Sequence, residues 1–193
     1  MTKSIRAFLA IDLPEEIRDR IRGIQDRLKT NLKGVRWIRP EGIHLTLKFL
    51  GNISKNDILN ISGMIEKQTK YVGPLMLKVG TVGTFPNLKR PRVLWLGIGG
   101  ETEQLITLQK KIDAALEDCG FKRETRTFRP HLTLGRIKSP KGTSGLSQAI
   151  EDGKNFAAGS FHAACLALFK SDLTPKGAIY TKLAHSPFGG QEQ

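Results

Sequence analysis

The sequence predicts an α+β fold in which antiparallel sheets carry helices on one face. Strand-like and helix-like segments follow one another without the strict strand–helix–strand alternation that is typical of a parallel sheet. The 193 residues suffice for one domain, or for two small lobes that share a cleft. A four-residue word that contains histidine also occurs twice, each time near a long helical segment. The chain therefore contains a coarse internal repeat.

The first half contains two helices and four strands in this prediction. The first helix begins at Pro14 and runs to about residue 32, because proline suits a first helical turn and Glu15 and Glu16 suit its positive end. Apolar residues then recur at intervals of three and four. Ser54 is a candidate N-cap for a second helix over residues 55–71. The predicted strands cover residues 6–11, 35–38, 43–50 and 75–82.

The second half repeats this mixture with one long helix and several strands. A helix over residues 101–119 ends at Gly120, a residue type that favours helix termination. Residues 139–145 are predicted as a flexible loop, and residues 146–152 form at most a short helix. The predicted strands cover residues 93–98, 128–137, 160–169 and 177–183.

The charge balance favours anionic partners. The chain has 31 Lys and Arg against 18 Asp and Glu, a net charge of +13, and such an excess attracts nucleic acid or phosphorylated substrates. Two cysteines, Cys119 and Cys165, are too few for a disulfide framework and lack metal-ligand spacing. The N-terminal apolar run is too short for a signal peptide, and no stretch has the length needed to cross a bilayer. We expect a soluble, cytoplasmic protein that needs no membrane.

Two copies of one word supply the candidate catalytic residues. His44-Leu45-Thr46-Leu47 returns in the second half as His131-Leu132-Thr133-Leu134, and the two words use two of the four histidines in the chain. Side chains two positions apart on a strand project from the same face. Each strand therefore presents a histidine and a threonine together, while its leucines point into a core.

A basic residue follows each word. Lys48 alternates with Thr46, so we expect it on the histidine face of the strand. Arg136 stands three residues after Thr133, and simple alternation would place it on the opposite face. A bulge at Gly135 would return Arg136 to the histidine face, and we expect such a bulge.

Paired imidazoles suit the hydrolysis of a cyclic phosphate, because the ordinary pKa of histidine lies near neutrality. One neutral imidazole can take a proton from the attacking water, and the other, protonated, can donate one to the departing ribose oxygen. The threonines can donate hydrogen bonds to phosphate oxygens, and nearby Arg and Lys can offset the charge that builds there. This scheme requires no metal and no cofactor.

The words and their flanks resemble those of one known family. They are similar to the signature of the two-histidine (2H) phosphoesterase superfamily. Within it, the chain closely resembles the bacterial and archaeal RNA 2′,3′-cyclic phosphodiesterases, also called 2′-5′ RNA ligases. The likeness covers nearly the whole chain. It is carried by RAFLAIDLP (6–14), VRW (35–37), HLTLKFLG (44–51), FP (85–86), PRVLW (91–95), FRPHLTLGR (128–136), Ser171 and GAIY (177–180).

The resemblance implies a fold and a reaction. The fold is bilobal and pseudo-twofold, with antiparallel sheets lining a central cleft, helices on the outer faces, and residues 1–193 as a single domain. The reaction is hydrolysis of RNA 2′,3′-cyclic phosphate ends, such as those of tRNA fragments, to 2′-phosphates. Joining or cleaving 2′-5′ linkages would be a side activity of the same chemistry. One cleft per chain needs no partner subunit, so we expect a monomer.

Carried onto this sequence, the roles of the family fall on both words. His44 and His131 are the catalytic pair, and Thr46 and Thr133 hold phosphate. Arg136 would be a phosphate contact. A first assignment makes His131 the base and His44 the acid, although exchanging these roles leaves the words unchanged.

Further candidates for substrate binding lie around the words. Besides Lys48, the basic residues Arg36 and Arg39 precede the first word and could track an RNA backbone. Phe8 could stack on a base, but packing in the core is the favoured interpretation. Ser171 and Tyr180 reach the cleft only if the C-terminal hairpin folds beside it, which the resemblance alone implies.

Two other functions compete with this interpretation. A non-catalytic RNA-binding module would hold phosphate ends in a basic cleft without turnover, and its phosphate binding would survive the loss of either imidazole. A metal site built from both histidines is disfavoured, because the words supply hydroxyls rather than carboxylates or thiolates.

Overall fold

The structure, a computed structural model, describes residues 4–138, 145–175 and 177–190. The loop predicted over residues 139–145 lies outside these ranges, apart from its last residue. In chain order the strands are β1 (Ile5–Ile11), β2 (Val35–Trp37), β3 (Leu45–Ile53), β4 (Leu75–Phe85), β5 (Val93–Gly100), β6 (His131–Ile137), β7 (Ala157–Ala163), β8 (Cys165–Thr174) and β9 (Gly177–Pro187). The helices are α1 (Glu15–Asn31), α2 (Lys55–Thr69), α3 (Thr102–Asp118) and α4 (Leu146–Gly153), and a short 3-10 turn spans Pro40–Gly42.

The strands form two antiparallel sheets that exchange strands between the halves of the chain. Sheet 1 has the order β3-β1-β8-β9 and sheet 2 the order β2-β6-β5-β4-β7. β4 belongs to the first half of the sequence but lies in sheet 2, and β8 belongs to the second half but lies in sheet 1. Each sheet therefore needs both halves, and the predicted α+β fold with antiparallel pairing is confirmed.

The internal repeat of the sequence reappears in the elements. α1 and α3 are each 17 residues long, and they begin at Glu15 and Thr102, which are as far apart as His44 and His131. β1 pairs with the first motif strand, β3, and β5 pairs with the second, β6. The halves thus share the order strand, helix, motif strand, as a pseudo-twofold duplication requires.

Several strand boundaries differ from the prediction. The single strand expected over residues 160–169 is two strands, because β7 ends at Ala163 in sheet 2 and β8 begins at Cys165 in sheet 1. The strand expected from residue 128 begins only at His131, and β3 continues to Ile53. Apolar side chains run on across the break at Ala164, so the sequence pattern does not mark the change of sheet.

The leucines of both words lie in the core, as predicted. Leu45, Leu132 and Leu134 have no exposed surface, and Leu47 is 4% exposed. α2 packs on β8 and β9 of sheet 1 with α3 beside it, whereas α1 packs on β7 and α4 on β4 of sheet 2. The helices thus cover one face of each sheet, and the face that carries the motif histidines is the other one.

Candidate active site

His44 lies directly before β3, and aromatic side chains enclose its ring. The imidazole stacks on Phe8 of β1 with ring centroids 4.5 Å apart, and it meets the edge of Tyr180 of β9 at 5.0 Å. Burial lowers the pKa of His44 to about 4, against the opposing effects of a backbone hydrogen bond at Gly42 and the charge of Asp12. The free protein therefore holds His44 neutral at neutral pH.

His131 is the first residue of β6, and it also lies against aromatic rings. Its ring centroid is 4.9 Å from that of Phe85 and 6.4 Å from that of Trp95. Its Nδ1 lies 2.6 Å from the carbonyl oxygen of Arg129. A carbonyl only accepts, so this hydrogen bond requires a proton on Nδ1. In the neutral imidazole Nε2 is then the atom that can take up a proton.

A bulge in β6 turns Arg136 to the face of Thr133. Thr133 pairs with Trp95 and Arg136 with Val93, and the register shifts between the two pairs. Because Val93 and Trp95 stand two positions apart on β5, their partners share a face. The bulge predicted at Gly135 is confirmed, and Arg136 is exposed on the face where the word presents its hydroxyl.

A matching bulge in β3 has the opposite effect on Lys48. Ala10 pairs with Thr46, but its neighbour Leu9 pairs with Lys48, so one extra residue lies between the two partners. Lys48 therefore turns to the core, where it is 7% exposed and its ammonium donates to the carboxylate of Asp113. The prediction that Lys48 shares the histidine face is wrong, because strand alternation does not reveal the bulge.

The same bulge places Phe49 on the cleft face. Phe49 pairs with Phe8, their ring centroids are 6.0 Å apart, and Phe49 is 66% exposed. Phe8 itself is only 2% exposed beneath His44, which agrees with packing in the core rather than with stacking on a base. Sequence reasoning missed Phe49. One sequence signal pointed to it, because Phe49 follows His44 by the same number of residues as Arg136 follows His131.

The C-terminal hairpin brings Ser171 and Tyr180 to the cleft face. β8 pairs with β1, and Ser171 pairs with Tyr180 across the hairpin. Burial raises the pKa of Tyr180, and the charge of Arg136 acts in the opposite direction. Arg136 of sheet 2 therefore lies near Tyr180 of sheet 1, and β3 is in contact with β6. The two motif strands thus come together at one place.

The two arginines that precede the first word also lie near the site where the two motif strands meet. Arg36 is exposed and pairs directly with Arg136 across β2 and β6, so the two side chains share a face. Arg39 is exposed and stands at the N-cap position of the 3-10 turn that leads into His44, without a capping hydrogen bond from its side chain. The structure therefore gathers a cluster of guanidinium groups near the candidate catalytic histidines, and their contact with substrate stays a prediction.

Sequence reasoning also missed the aromatic side chains that support the histidines. Phe169 of β8 stacks on Phe8 at 5.4 Å and lies 6.2 Å from His44. Phe85 and Trp95 lie 5.1 Å apart and support His131, whose ring meets theirs edge-on rather than stacked. Phe85 and Trp95 stand in the segments that carry the family resemblance, but their contact with His131 depends on strand pairing that the sequence does not display.

Two findings bear on metals and membranes. Among the described residues, no group of three or more His, Cys, Asp or Glu side chains is arranged to hold a metal ion. Within residues 4–138, 145–175 and 177–190, no helix combines the length and apolar composition that a membrane span needs.

The fold and the site together define the class of two-histidine phosphoesterases, in which paired motif strands each present a histidine and a threonine. The family model described as "LigT like Phosphoesterase" matches residues 11–95 and residues 97–180, so each match contains one word. The chain belongs to the LigT-like phosphoesterase family. This confirms the resemblance that the words indicated.

Relatives match over nearly the whole chain. The RNA 2′,3′-cyclic phosphodiesterase of Methanocaldococcus jannaschii is 39% identical over 91% of this chain and 96% of its own length. The protein of the same description from Methanothermobacter thermautotrophicus is 36% identical over 93% of this chain and 96% of its own. The crystal structure of E. coli LigT complexed with 3′-AMP has a TM-score of 0.78 and 26% identity, covering 99% of this chain and 100% of that one.

Proposed function

We propose that this chain hydrolyses the 2′,3′-cyclic phosphate ends of RNA to 2′-phosphates, with His44 and His131 as its acid–base pair. The observation that carries the proposal is the meeting of β3 and β6, each with a histidine backed by aromatic rings and a threonine on the same face. The relatives described above are RNA 2′,3′-cyclic phosphodiesterases, which gives the substrate. The net charge of +13 suits an RNA substrate.

The proposed reaction is a displacement at the phosphorus of the cyclic ester. Water attacks the phosphorus, and one imidazole takes its proton. The bond from phosphorus to the 3′-oxygen breaks, and the other imidazole donates a proton to that oxygen, which leaves the phosphate on the 2′-oxygen. Solvent then restores both imidazoles to their starting protonation states.

The charge on the phosphoryl oxygens has candidate partners on both motif strands. The hydroxyls of Thr46 and Thr133 lie on the histidine faces and can donate hydrogen bonds to these oxygens. Arg136, on the face of Thr133, can donate two charge-assisted hydrogen bonds, and Arg36 lies opposite it. These groups stabilise negative charge as it builds in the transition state.

The order of the acid and base roles depends on two opposing effects on His44. Burial lowers its pKa to about 4, which favours the neutral form that a base needs. The negative charge of a bound phosphate raises the pKa, which favours the protonated form that an acid needs. The first assignment, with His44 as the acid, therefore requires that His44 gains its proton when substrate binds.

The proposal also covers a side activity, the domain organisation, and the oligomeric state and location of the protein. If the 5′-hydroxyl of a second RNA replaces water as nucleophile, the same groups join the two molecules through a 2′-5′ linkage. Because each sheet takes strands from both halves, we propose that residues 1–193 act as one domain. A monomeric state and a cytoplasmic location stay predictions.

The test is turnover of a nucleoside 2′,3′-cyclic phosphate by the purified protein in EDTA, with the product identified by chromatography. We expect the 2′-phosphate, formed at the same rate with and without the chelator. Formation of the 3′-phosphate would contradict the proposed bond cleavage, and loss of activity in EDTA would contradict the metal-free mechanism. Phosphate binding without turnover, on mononucleotides and on RNA with cyclic ends alike, would favour the non-catalytic binding module.

A further inference from the structure

A groove runs along the open edge of β3, beside the candidate active site. It has a volume of about 510 Å³, with residues 48–52 of β3 on one side and residues 120–124 on the other. Phe49 is part of this lining, and it shares a strand face with Thr46. The groove therefore opens next to the proposed phosphate site, along a surface to which the reaction above gives no role.

The other half of the molecule shows why this edge is open. There, β2 pairs with β6 and covers the edge of the motif strand. β3 is instead an edge strand of sheet 1. The segment equivalent to β2 in the second half is residues 122–124, which precede His131 by the same distance as β2 precedes His44. These residues form a loop rather than a strand. The ammonium of Lys48 donates to the carbonyl oxygen of Lys122 at 2.6 Å. This contact ties the loop at residue 122 to β3 through a side chain rather than through strand pairing.

The exposed ring of Phe49 is the first indication of a ligand. Two thirds of this side chain face water, although its ring lies 6.0 Å from Phe8, which stacks beneath His44. Phe49 thus offers an exposed aromatic ring on the strand face that carries Thr46. Aromatic rings bind nucleotides by stacking, and they accept any base because every base has a π-face.

The charge of the opposite wall is the second indication. Lys122 and Arg123 are exposed there. Arg123 pairs with Glu117 at 2.7 Å, whereas Lys122 pairs with no carboxylate among the described residues. Glu124, the acidic residue of this wall, lies 4.0 Å from Arg126. A groove lined by an exposed aromatic ring on one wall and an exposed lysine on the other fits a nucleotide, with its flat base and its phosphate, better than it fits an added peptide strand.

We propose that this groove binds the RNA strand that lies 5′ to the cyclic phosphate, with a base stacked on Phe49 and a phosphate beside Lys122. The inference rests on the proposed function and adds the surface that holds the RNA strand. The preferred substrate is an oligonucleotide with a cyclic end rather than a mononucleotide. The groove then holds the strand upstream of the nucleotide that reacts.

The test compares kcat/KM for a dinucleotide or trinucleotide that ends in a 2′,3′-cyclic phosphate with kcat/KM for the cyclic mononucleotide. For the wild type we expect a ratio well above one. Phe49→Leu keeps an apolar side chain against Phe8 but removes the stacking ring, and it should lower the ratio about tenfold. Phe49→Tyr keeps the ring and should keep the ratio. Tyr71→Ala, which removes another exposed aromatic side chain (65% exposed), is the matched control.

The phosphate contact has a separate readout in the salt dependence. Lys122→Gln should reduce the slope of log KM against log salt for the oligonucleotide by about 0.7, the value expected for one phosphate of a single strand. Lys110→Gln changes an exposed lysine of α3 and should leave the slope as in the wild type.

Each outcome separates this inference from the proposed function. A wild type that turns over neither the cyclic mononucleotide nor the oligonucleotide contradicts the proposed function itself. A wild type that turns over both equally well, or whose preference survives Phe49→Leu, overturns only the inference about the groove. Loss of the preference in Phe49→Leu with its return in Phe49→Tyr supports the groove as the RNA path.

Discussion

The two motif strands begin with the same word and then present different chemistry to the cleft. Each strand has a bulge at the last residue of its word. In β6 the bulge turns the small Gly135 inward and Arg136 outward, whereas in β3 it turns Lys48 inward and Phe49 outward. Identical local sequences therefore place a histidine and a threonine on each strand, and the residues that follow give one strand an exposed cation and the other an exposed aromatic ring.

The neighbours of the two strands explain this division. A Cβ atom at Gly135 would lie 2.6 Å from the side chain of Val35 and 3.0 Å from the carbonyl oxygen of Arg36, because β2 packs against that edge. Only glycine fits there without displacement. β3 has no such neighbour strand in sheet 1 on that side, so the long side chain of Lys48 can extend to Asp113 instead.

The two bulges also differ in the helix side chain that contacts them. Gln25 of α1 is fully buried and donates to the carbonyl oxygens of Ile38 and Leu134, at 2.8 and 3.1 Å. On the other strand a buried ion pair between Lys48 and Asp113 of α3 takes this place. A neutral hydrogen bond and a buried charge pair thus fix the same feature, and their loss should cost different amounts of stability.

The largest effect expected is the loss of activity when either histidine is removed. His44→Ala and His131→Ala should each lower kcat by about a hundredfold to ten-thousandfold, the usual contribution of general acid–base catalysis. The double variant should be little worse than the poorer single variant, because the two groups act in one step. His162→Ala, at an exposed histidine of β7, is the control in steady-state assays with a cyclic mononucleotide.

A substrate with sulfur in place of the 3′-oxygen would show which histidine is the acid. A thiolate leaves without protonation, so the variant that lacks the acid should regain most of its activity, while the variant that lacks the base should not. Recovery in His44→Ala would support the first assignment, and recovery in His131→Ala would reverse it. Recovery in neither variant would contradict the division of roles between the two residues.

The contrast between the two helix contacts predicts unequal losses of stability. Lys48→Ala leaves the carboxylate of Asp113 buried without its partner and should lower the free energy of unfolding by about 3–5 kcal/mol. Gln25→Leu removes hydrogen bonds to two carbonyl groups and should cost about 1–3 kcal/mol. Both values follow from urea denaturation at neutral pH.

A double substitution controls for the charge. Lys48→Met combined with Asp113→Leu removes both charges, and it should recover most of the stability that Lys48→Ala loses. If the double variant is instead less stable than Lys48→Ala, the ion pair itself stabilises the folded protein, and the loss in Lys48→Ala is not only the cost of leaving one charge unpaired.

The difference between Arg136 and Phe49 predicts an intermediate effect on catalysis. Arg136→Gln should lower kcat/KM for a cyclic mononucleotide about tenfold to a hundredfold, because a charge-assisted hydrogen bond to phosphate is lost. Arg126→Gln, at a side chain that is 91% exposed, should have little effect on this substrate. Equal effects of both substitutions would mean that general charge, rather than the position of Arg136, attracts the substrate.

A further effect on stability is a pH dependence that comes from His44. Its pKa falls from an ordinary value of 6.5 to about 4 on folding. Between these values the unfolded chain binds more protons, so the free energy of unfolding should decrease as the pH is lowered from 6.5 towards 4. His44→Asn should flatten this dependence, and NMR titration of the wild type should show an imidazole that titrates near pH 4. A normal titration of His44 would contradict its burial.

The sequence predicted much of the fold because the signals are local. Helices α1, α2 and α3 follow from apolar residues spaced by three and four, and the buried leucines of both words follow from strand alternation. The bulge in β6 could be predicted because Gly135 and Arg136 made simple alternation implausible. No such residue marked the bulge in β3, so the sides on which Lys48 and Phe49 lie were predicted wrongly or missed.

The sequence by itself determined the class of protein, since two histidine words with matching flanks are a chemical signature that needs no geometry to read. Tertiary structure alone decided which side chains reach the cleft. A bulge is defined by the register against a neighbouring strand, and burial depends on elements far away in the chain. For this reason Phe8 lies buried under His44, Lys48 faces Asp113, and the edge of β3 stays open while β2 covers that of β6.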